Sequence, residues 1–379
     1  MQSVKNIIDP LSPQLRDAFK TAKSFIPLKS LRHGFLEDLF LYVEPQPIFK
    51  GQVLFEQGSY DQQYIYLHSG RIQLTYQSGH EVTMVAGETV SPVAHQQPRP
   101  CKAVAVEDCT VLRVDADRLD RTLSWSQMTD YLLSEIAMNR NLDGDVDWMK
   151  SIIASNLFFK APSVNVEYIF TKLQSVDVSA GQIVIRQGDI GDCCYFLKSG
   201  TATVIKPDAD GNEINVAEIV EGRCFGEDAL VDQKPRNASI KMLTDGQLMR
   251  LDKADFYTLL QEPEVEEISA NDMDKLSPAP ILLDVRTDSE YRMSHLSMSA
   301  NIPLSLLAMK KRLLSLEQPY VLYCDTGRRS RAAAYFLGKD GYNAISLVGG
   351  LQEQKLLDCL VAEPGYILRD GQLQPSENA

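Results

Sequence analysis

Ahead of Pro263 the apolar positions come mostly in short Val, Ile, Leu and Tyr alternations broken by Gly, Asp and Ser. A period of two with turn residues between the runs predicts small antiparallel β-rolls or barrels, not a helix bundle. One stretch differs. Leu119, Leu123, Met128, Leu132 and Ile136 stand at mostly helical spacing, which predicts a helical connector whose stripe serves packing. From Pro280 onward the apolar strands ILLDVR, YVLYC and NAISLVGG alternate with the helical stretches LSLLAMKKRLLSL and RSRAAAYFLGKDG. Strands buried on both faces and separated by helices indicate an α/β domain with a parallel sheet. Pro263 and the acidic residues beside it place the boundary near residues 261–267.

The chain repeats itself. GQVLFEQGSYDQQYIYLHSG from Gly51 returns as GQIVIRQGDIGDCCYFLKSG from Gly181, and Gly51, Gln52, Gln57, Gly58, Leu67, Ser69 and Gly70 all match at an offset of 130. Two modules of one fold are implied, and their shared glycines suit tight turns with positive φ.

Composition narrows the function classes. Among 379 residues, 51 Asp and Glu against 38 Lys and Arg leave a formal net charge of -13, which repels a phosphate backbone and makes nucleic acid an unsuitable partner. The opening MQSVKNIIDPLSPQLRD lacks the apolar core of a signal peptide, and nowhere do 18 apolar residues run together, so no membrane association and a cytoplasmic location are expected. Seven scattered cysteines (101, 109, 193, 194, 224, 324, 359) read as reduced thiols, with Cys193 and Cys194 turned to opposite faces of a strand. No second Cys/His pair stands at ligand spacing, so no metal site is expected.

The second repeat continues as Phe225-Gly226-Glu227-Asp228-Ala229-Leu230 and Pro235-Arg236-Asn237-Ala238-Ser239. A glycine admits a close backbone approach, a helix start offers N–H groups to an anion, and Arg236 supplies a charged fork. Glu227, a pure acceptor when ionised, suits a ribose hydroxyl. Over roughly residues 150–262 the stretch resembles the phosphate-binding cassette of cyclic-nucleotide-binding domains. The resemblance implies that Gly226, Glu227 and Ala229 face the sugar-phosphate while Arg236, Ala238 and Ser239 hold the phosphate, with Phe225 counted among the nucleotide-binding residues. Cyclic AMP is the default ligand; Asn237 stands where family members often carry a small residue or Thr, which keeps cyclic GMP open.

The first copy departs from this pattern. GETVSPVAHQQPRPCKA places Ser91 and Pro92 where Gly226 and Glu227 would stand, and Gly87 to Arg99 is two residues shorter than Gly222 to Arg236. Pro92 and Pro100 delete N–H donors, leaving Arg99 as a degenerate anion site in a structural or dimerising module.

The strand YVLYC ends at Cys324, followed by Asp325, Thr326, Gly327, Arg328, Arg329 and Ser330 and then an Ala-rich helix. A thiolate at a strand-to-helix turn meets converging N–H groups and the positive helix end, which predicts a depressed pKa and a nucleophile. Residues 265–365 resemble single-domain rhodaneses, which carry a C-x-x-G-x-R/S loop. They also keep Asp284-Val285-Arg286, Asn301-Ile302-Pro303 and Gly349-Gly350. The resemblance implies a catalytic Cys324 persulfide, a loop whose Arg328 and Arg329 steer an anionic donor such as thiosulfate, a thiol or cyanide acceptor, and Asp284 and Arg286 as support. SHLSMSANIP and Gln354 depart from the family's usual residues, and His295 reads as structural. Phosphatases of the related type want one more residue before the arginine, so the loop fits sulfur better than phosphate.

The expectation is a bacterial-type multidomain chain: two mainly-β cyclic-nucleotide-binding β-roll or jelly-roll modules with flanking helices, then an α/β rhodanese-like three-layer domain with a parallel sheet. The expected spans are an N-terminal helical extension (1–30), a degenerate first module (31–118), a helical connector (119–150), the second module (151–262), the rhodanese-like domain (263–370) and a disordered tail (371–379). The expected function is cyclic-nucleotide-responsive sulfur transfer without a covalent cofactor, with a homodimer left open. The alternative is a non-catalytic nucleotide or redox sensor whose rhodanese module binds a partner. A transcription regulator of the cyclic-AMP receptor type is excluded, because the rhodanese-like sheet occupies the place of its helix-turn-helix.

Overall fold

The period-two runs of the first module form strands that close two antiparallel sheets over one core. The computed structural model describes residues 13–139, 148, 162, 165–208, 212–261, 263–352, 356, 359–362, 365–369 and 371–375. Helices α1 (Pro13–Ala22) and α2 (His33–Phe40) precede a sheet ordered Pro45–Ile48, Cys109–Asp115, Gln63–Ser69 and a second ordered Val53–Phe55, Cys101–Ala105, Arg71–Tyr76, Glu81–Val85. Their inward faces meet at Ile48, Leu54, Ile65, Leu67, Ile72 and Val111. Helix α3 (Ala116–Asn139) follows and buries Leu119, Leu123, Met128 and Leu132; the side chain of Ile136 lies outside the described set. Asp120 and Gln127 on the same helix are buried as well, so it is enclosed on more than its apolar stripe.

Residues Leu132–Glu264 form a separate compact unit. After α4 (Val166–Lys172), one sheet runs Cys224–Phe225, Cys193–Ser199, Gly246–Asp252, Gln174–Val178 and the other Glu213–Ile219, Ala202–Pro207, Ser239–Met242, Ile183–Ile185. Short α5 (Glu227–Val231) lies between the sheets in sequence, and α6 (Lys253–Leu260) ends the unit. The repeat is structural: Gly51 and Gly181 both take φ +82°, donating to Ala105 O (2.7 Å) and Met242 O (2.9 Å). Cys193 and Cys194 do alternate, but neither reaches solvent, because the strand is covered on both faces; Cys224 lies beside both Cys194 and Glu227.

Residues Met1–Tyr131 and Val265–Ala379 together form the other compact unit. The C-terminal part has a seven-stranded sheet ordered Glu267–Ile268, Asn343–Leu347, Pro319–Tyr323, Ile281–Asp284, Ser299–Asn301, Tyr366–Arg369, Gln372–Pro375. All pairings are parallel except the last. Every residue of Pro319–Tyr323 is buried, as a central strand of a parallel sheet requires. Helices α7 (Asp288–Met293), α8 (Leu307–Lys310) and α9 (Arg328–Lys339) follow their strands, with α9 against Asn343–Leu347 and Pro319–Tyr323. Gln372–Pro375 is an ordered edge strand where a disordered tail was expected; backbone pairing with Tyr366–Arg369 satisfies groups that a polar sequence could equally have left to water.

Candidate functional site

Cys324 sits where the central strand gives way to α9. Its sulfur accepts a hydrogen bond from Gly327 N at 3.1 Å, and the Ser330 hydroxyl lies 3.8 Å away, itself donating to Gly327 O at 3.0 Å. Gly327 takes φ +96°, so the chain can turn from strand to helix and point its N–H back at the sulfur. Gly350 supports the loop from behind: a Cβ there would run into the carbonyl oxygen of Cys324, which accepts from Leu351 N at 2.9 Å. Gln354, four residues after Gly350, lies outside the described residues.

The loop's charges are consumed locally. Arg286 grips Asp284 through Nε and Nη2 (2.7 Å at the shortest) and reaches Asp325 at 3.0 Å. Arg329, fully buried, pairs both terminal nitrogens with Glu290 at 2.9 Å and reaches Asp325 at 3.2 Å. Burial would raise the Glu290 pKa, but the Arg329 guanidinium, with Arg286 and Thr287, holds it down at about 2. Glu290 is positioned by a capping box in which Thr287 and Glu290 satisfy each other's backbone N–H groups at the start of α7. Arg329 is therefore a framework group and not a steering charge, because its donors face a buried carboxylate. His295 is buried, within hydrogen-bond reach of Tyr291 O at 2.8 Å and stacked on the Tyr291 ring.

Arg328 is not free to steer either. Its Nη1 donates to Asp120 at 2.8 Å and its Nη2 to Asp117, both on α3 of the first module. Thr326 Oγ1 donates to the same Asp120 oxygen at 2.6 Å. Cys324 is 0% exposed. Burial raises its thiol pKa, Arg329 pulls it back, and Asp120 raises it again, so the net shift is upward and opposite to the depressed value expected from a helix N-terminus.

In the second module a pocket is lined by Ile185, Gly226, Asp228, Ala229, Arg236, Asn237, Ala238 and Ile240. Gly226 has φ +86°, and a Cβ would meet Arg236 Nη1 at 2.8 Å, so only glycine admits the arginine. Arg236 donates to Gly226 O (2.6 Å) and Cys193 O (2.7 Å) and pairs with exposed Asp192 at 3.3 Å. Glu227 is buried at the start of α5, beside Cys224. Ser239 Oγ accepts from Gln187 N at 2.9 Å. Phe225 belongs to the roll core, stacked on Tyr195, and is no part of the pocket wall; β-strand alternation turns it inward. The groups fit an anionic ligand: a Cβ-free approach at Gly226 beside a guanidinium.

The first module keeps the framework without the cassette. Arg99 and Arg236 hold mirrored backbone pairs, Arg99 with Gly58 and Ser59, Arg236 with Gly188 and Asp189. Arg99 is fully buried, donating to Asp61 (2.6 Å), Gln63 O (2.6 Å) and Ala94 O (2.7 Å) over the Phe55 ring. Its terminal nitrogens are spent inside the protein, as those of Arg236 also are; what sets Arg236 apart is the left-handed Gly226 and the pocket beside it. His95 of the shortened segment stacks on Tyr64. Burial and then the charge of Asp325 raise Tyr64, while burial lowers His95 against Asp325, which places this face beside the Cys324 loop.

Sequence reasoning missed Asp117, Asp120, Tyr64 and His95 as neighbours of Cys324. Nothing local marks them, because they stand more than 200 residues from the loop in sequence. Glu290 did carry a signal, the Thr287-x-x-Glu290 capping pattern.

The profile of the cyclic nucleotide-binding domain matches residues 46–124 and 175–263, and that of the rhodanese-like domain residues 265–356. A cAMP-dependent protein kinase regulatory subunit of Mucor circinelloides f. lusitanicus is 25% identical over 239 residues, covering 60% of this chain and 51% of that protein. A second such subunit, of Blastocladiella emersonii, is 41% identical over 88 residues, 23% of this chain and 22% of the other. A cyclic nucleotide-gated potassium channel of Rhizobium etli is 33% identical over 117 residues, 31% of each protein. The match thus spans about half of the first relative and less than a third of the other two. Among solved structures, the regulatory domain of Toxoplasma gondii PKA with cAMP has a TM-score of 0.28 and 17% identity, covering 66% of this chain and 93% of that one.

Proposed function

From a chain that carries two cyclic nucleotide-binding domains followed by a rhodanese-like domain, we propose a cyclic-nucleotide-responsive sulfurtransferase acting through a Cys324 persulfide. The observation that carries this reading is the loop itself, which aims Gly327 N at the Cys324 sulfur from the N-terminus of α9. The Cys324 thiolate attacks the outer sulfur of thiosulfate; the S–S bond breaks, and sulfite leaves with the electron pair. Cyanide or a thiolate then attacks the terminal sulfur of the persulfide, carries it off as thiocyanate or a new persulfide, and regenerates the thiolate. Gly327 N and the helix end stabilise the anionic sulfur in both half-reactions.

The second module is the nucleotide sensor, with cyclic AMP as default and cyclic GMP the competitor that Asn237 leaves open. Tyr257 Oη donates to Leu230 O at 3.0 Å, tying α6 to the cassette helix α5, while Asn165 holds the α6 end through Leu259 O and Gln261 O. A shift of α5 on binding therefore passes to α6 and the linker at Pro263, with a coupling of about 1–3 kcal/mol. A cytoplasmic location is part of the same reading, supported by an odd and scattered set of seven cysteines. Among the described residues no helix is long and apolar enough to cross a membrane.

One observation favours a second reading, a nucleotide or redox sensor without turnover: the thiol is buried with its pKa raised. Thiosulfate-to-cyanide transfer by the full chain and its C324S variant, with and without each nucleotide, separates the two. Cys324-dependent turnover altered by one nucleotide supports the transferase. No turnover with intact nucleotide binding supports the sensor, and unchanged rate and hydrogen exchange across 255–267 at saturating nucleotide would end the coupling idea.

A further inference from the structure

The polar donors of the Cys324 loop converge on a carboxylate that comes from elsewhere in the chain. Thr326 Oγ1 and Arg328 Nη1 both donate to Asp120 Oδ2, at 2.6 and 2.8 Å, and Asp117 takes the other arm of Arg328. Two donors meeting one oxyanion oxygen is the arrangement an oxyanion of the substrate would need. Arg329 and Arg286 are held by Glu290, Asp284 and Asp325, so Arg328 is the cation of this loop that faces outward, its side chain 39% exposed. The contact extends along both helices, with Tyr131 of α3 packed on Phe336 of α9 at 4.5 Å between ring centres.

We propose that the first module is a built-in cap on the Cys324 loop, with Asp120 occupying the position of an anionic sulfur donor and Asp117 clamping Arg328. The proposal rests on the sulfurtransferase reading above for the identity of the donor. It explains why a chain would keep a nucleotide-binding fold without its cassette: the face bearing Tyr64 and His95 is turned to the rhodanese loop instead. The cap is also poised to release. Asp120 Oδ1 and Arg329 Nε face each other at 4.0 Å, both buried and neither hydrogen-bonded among the described residues. That oxygen has an ion pair but no hydrogen bond, a weaker hold than a fully hydrogen-bonded carboxylate has. Because α3 continues from the cap residues to Asn139, the chain itself connects the clamp to the start of the second module.

The test is iodoacetamide labelling of the full chain, read at Cys324 by peptide mass spectrometry, with exposed Cys359 as internal standard. Opening of the cap should make labelling of Cys324 in Asp120→Ala about tenfold faster or more, and in Asp117→Ala roughly threefold faster, with Cys359 unchanged. The thiosulfate KM should fall in both variants. Asp117 is surface-exposed, so D117A carries the test alone if the melting temperature shows that D120A fails to fold. Labelling unchanged in a folded variant, or wild-type Cys324 reacting as fast as Cys359, overturns the cap. Faster labelling with no thiosulfate turnover in any variant retires the sulfurtransferase and keeps the cap; turnover with labelling unmoved retires the cap alone.

Discussion

The two nucleotide-binding modules differ less in their frameworks than in what surrounds one arginine. Arg99 and Arg236 each pair with the glycine and the residue after it in the same turn, and each donates to the carbonyl of a corresponding strand residue, Gln63 or Cys193. Around Arg236 the chain leaves a left-handed glycine, a short helix and a pocket. Around Arg99 a segment shortened by two residues folds over the guanidinium, and Asp61, Gln63 and Ala94 take its donors. Both copies keep the roll, while two residues and one glycine separate the copy whose arginine borders a pocket from the copy without the cassette.

Exchanging the two arginines for alanine puts that comparison at risk. Arg99→Ala removes the cation paired with Asp61, leaving that carboxylate only the neutral donors Gln63 N and Gln97 Nε2, and takes a donor from the Gln63 and Ala94 carbonyls; it should cost about 3–5 kcal/mol of stability, read by denaturation, with nucleotide affinity untouched. Arg236→Ala should show the opposite balance: nucleotide affinity falling roughly 10- to 150-fold by calorimetry, as expected for loss of charge-assisted hydrogen bonds, with a smaller loss of stability because Asp192 is exposed. Equal destabilisation by both would mean that the second arginine is also a core cation. Gly226→Ala sharpens the point further. Its positive φ and the 2.8 Å approach to Arg236 should cost about 1 kcal/mol and weaken nucleotide binding several-fold, whereas Ser91→Gly should create no site in the first module.

The smallest expected effect concerns pH. Cys324 has a raised pKa, so the folded state binds the thiol proton more tightly than the unfolded chain does. Its contribution to stability is fully present below the unfolded thiol pKa, about 8.5, and is lost as pH rises through the higher folded value. The labelling rate of Cys324 should still be climbing at pH 9, and D120N, which removes one of the charges that raise the thiol, should move the profile down. A profile at or below that of free cysteine would show that the helix end outweighs burial.

Much of this architecture is legible in the chain. The offset of 130 exposes the duplication, and the change of pattern after Pro280 announces the parallel sheet. Gly226 and Gly327 mark the turns at which both candidate sites open. The thiol's environment was misread for a physical reason: helix N-terminus and neighbouring arginines were visible at Arg328 and Arg329, but their carboxylate partners were not. Glu290 could have been found from its capping box with Thr287. Asp120 could not, because it lies inside a helix whose spacing speaks only of packing.

The sequence by itself determined the modules, their order, the loop around Cys324 and the cassette around Arg236, since period, turn residues and motifs are local and each acts over a few residues. Only the tertiary structure decided which charges remain available. Arg328 meets Asp120 across a separation of 208 residues, and Arg329 meets Glu290 across 39. Such pairs depend on which faces pack together, and ion pairing between distant segments leaves no periodic trace in either one.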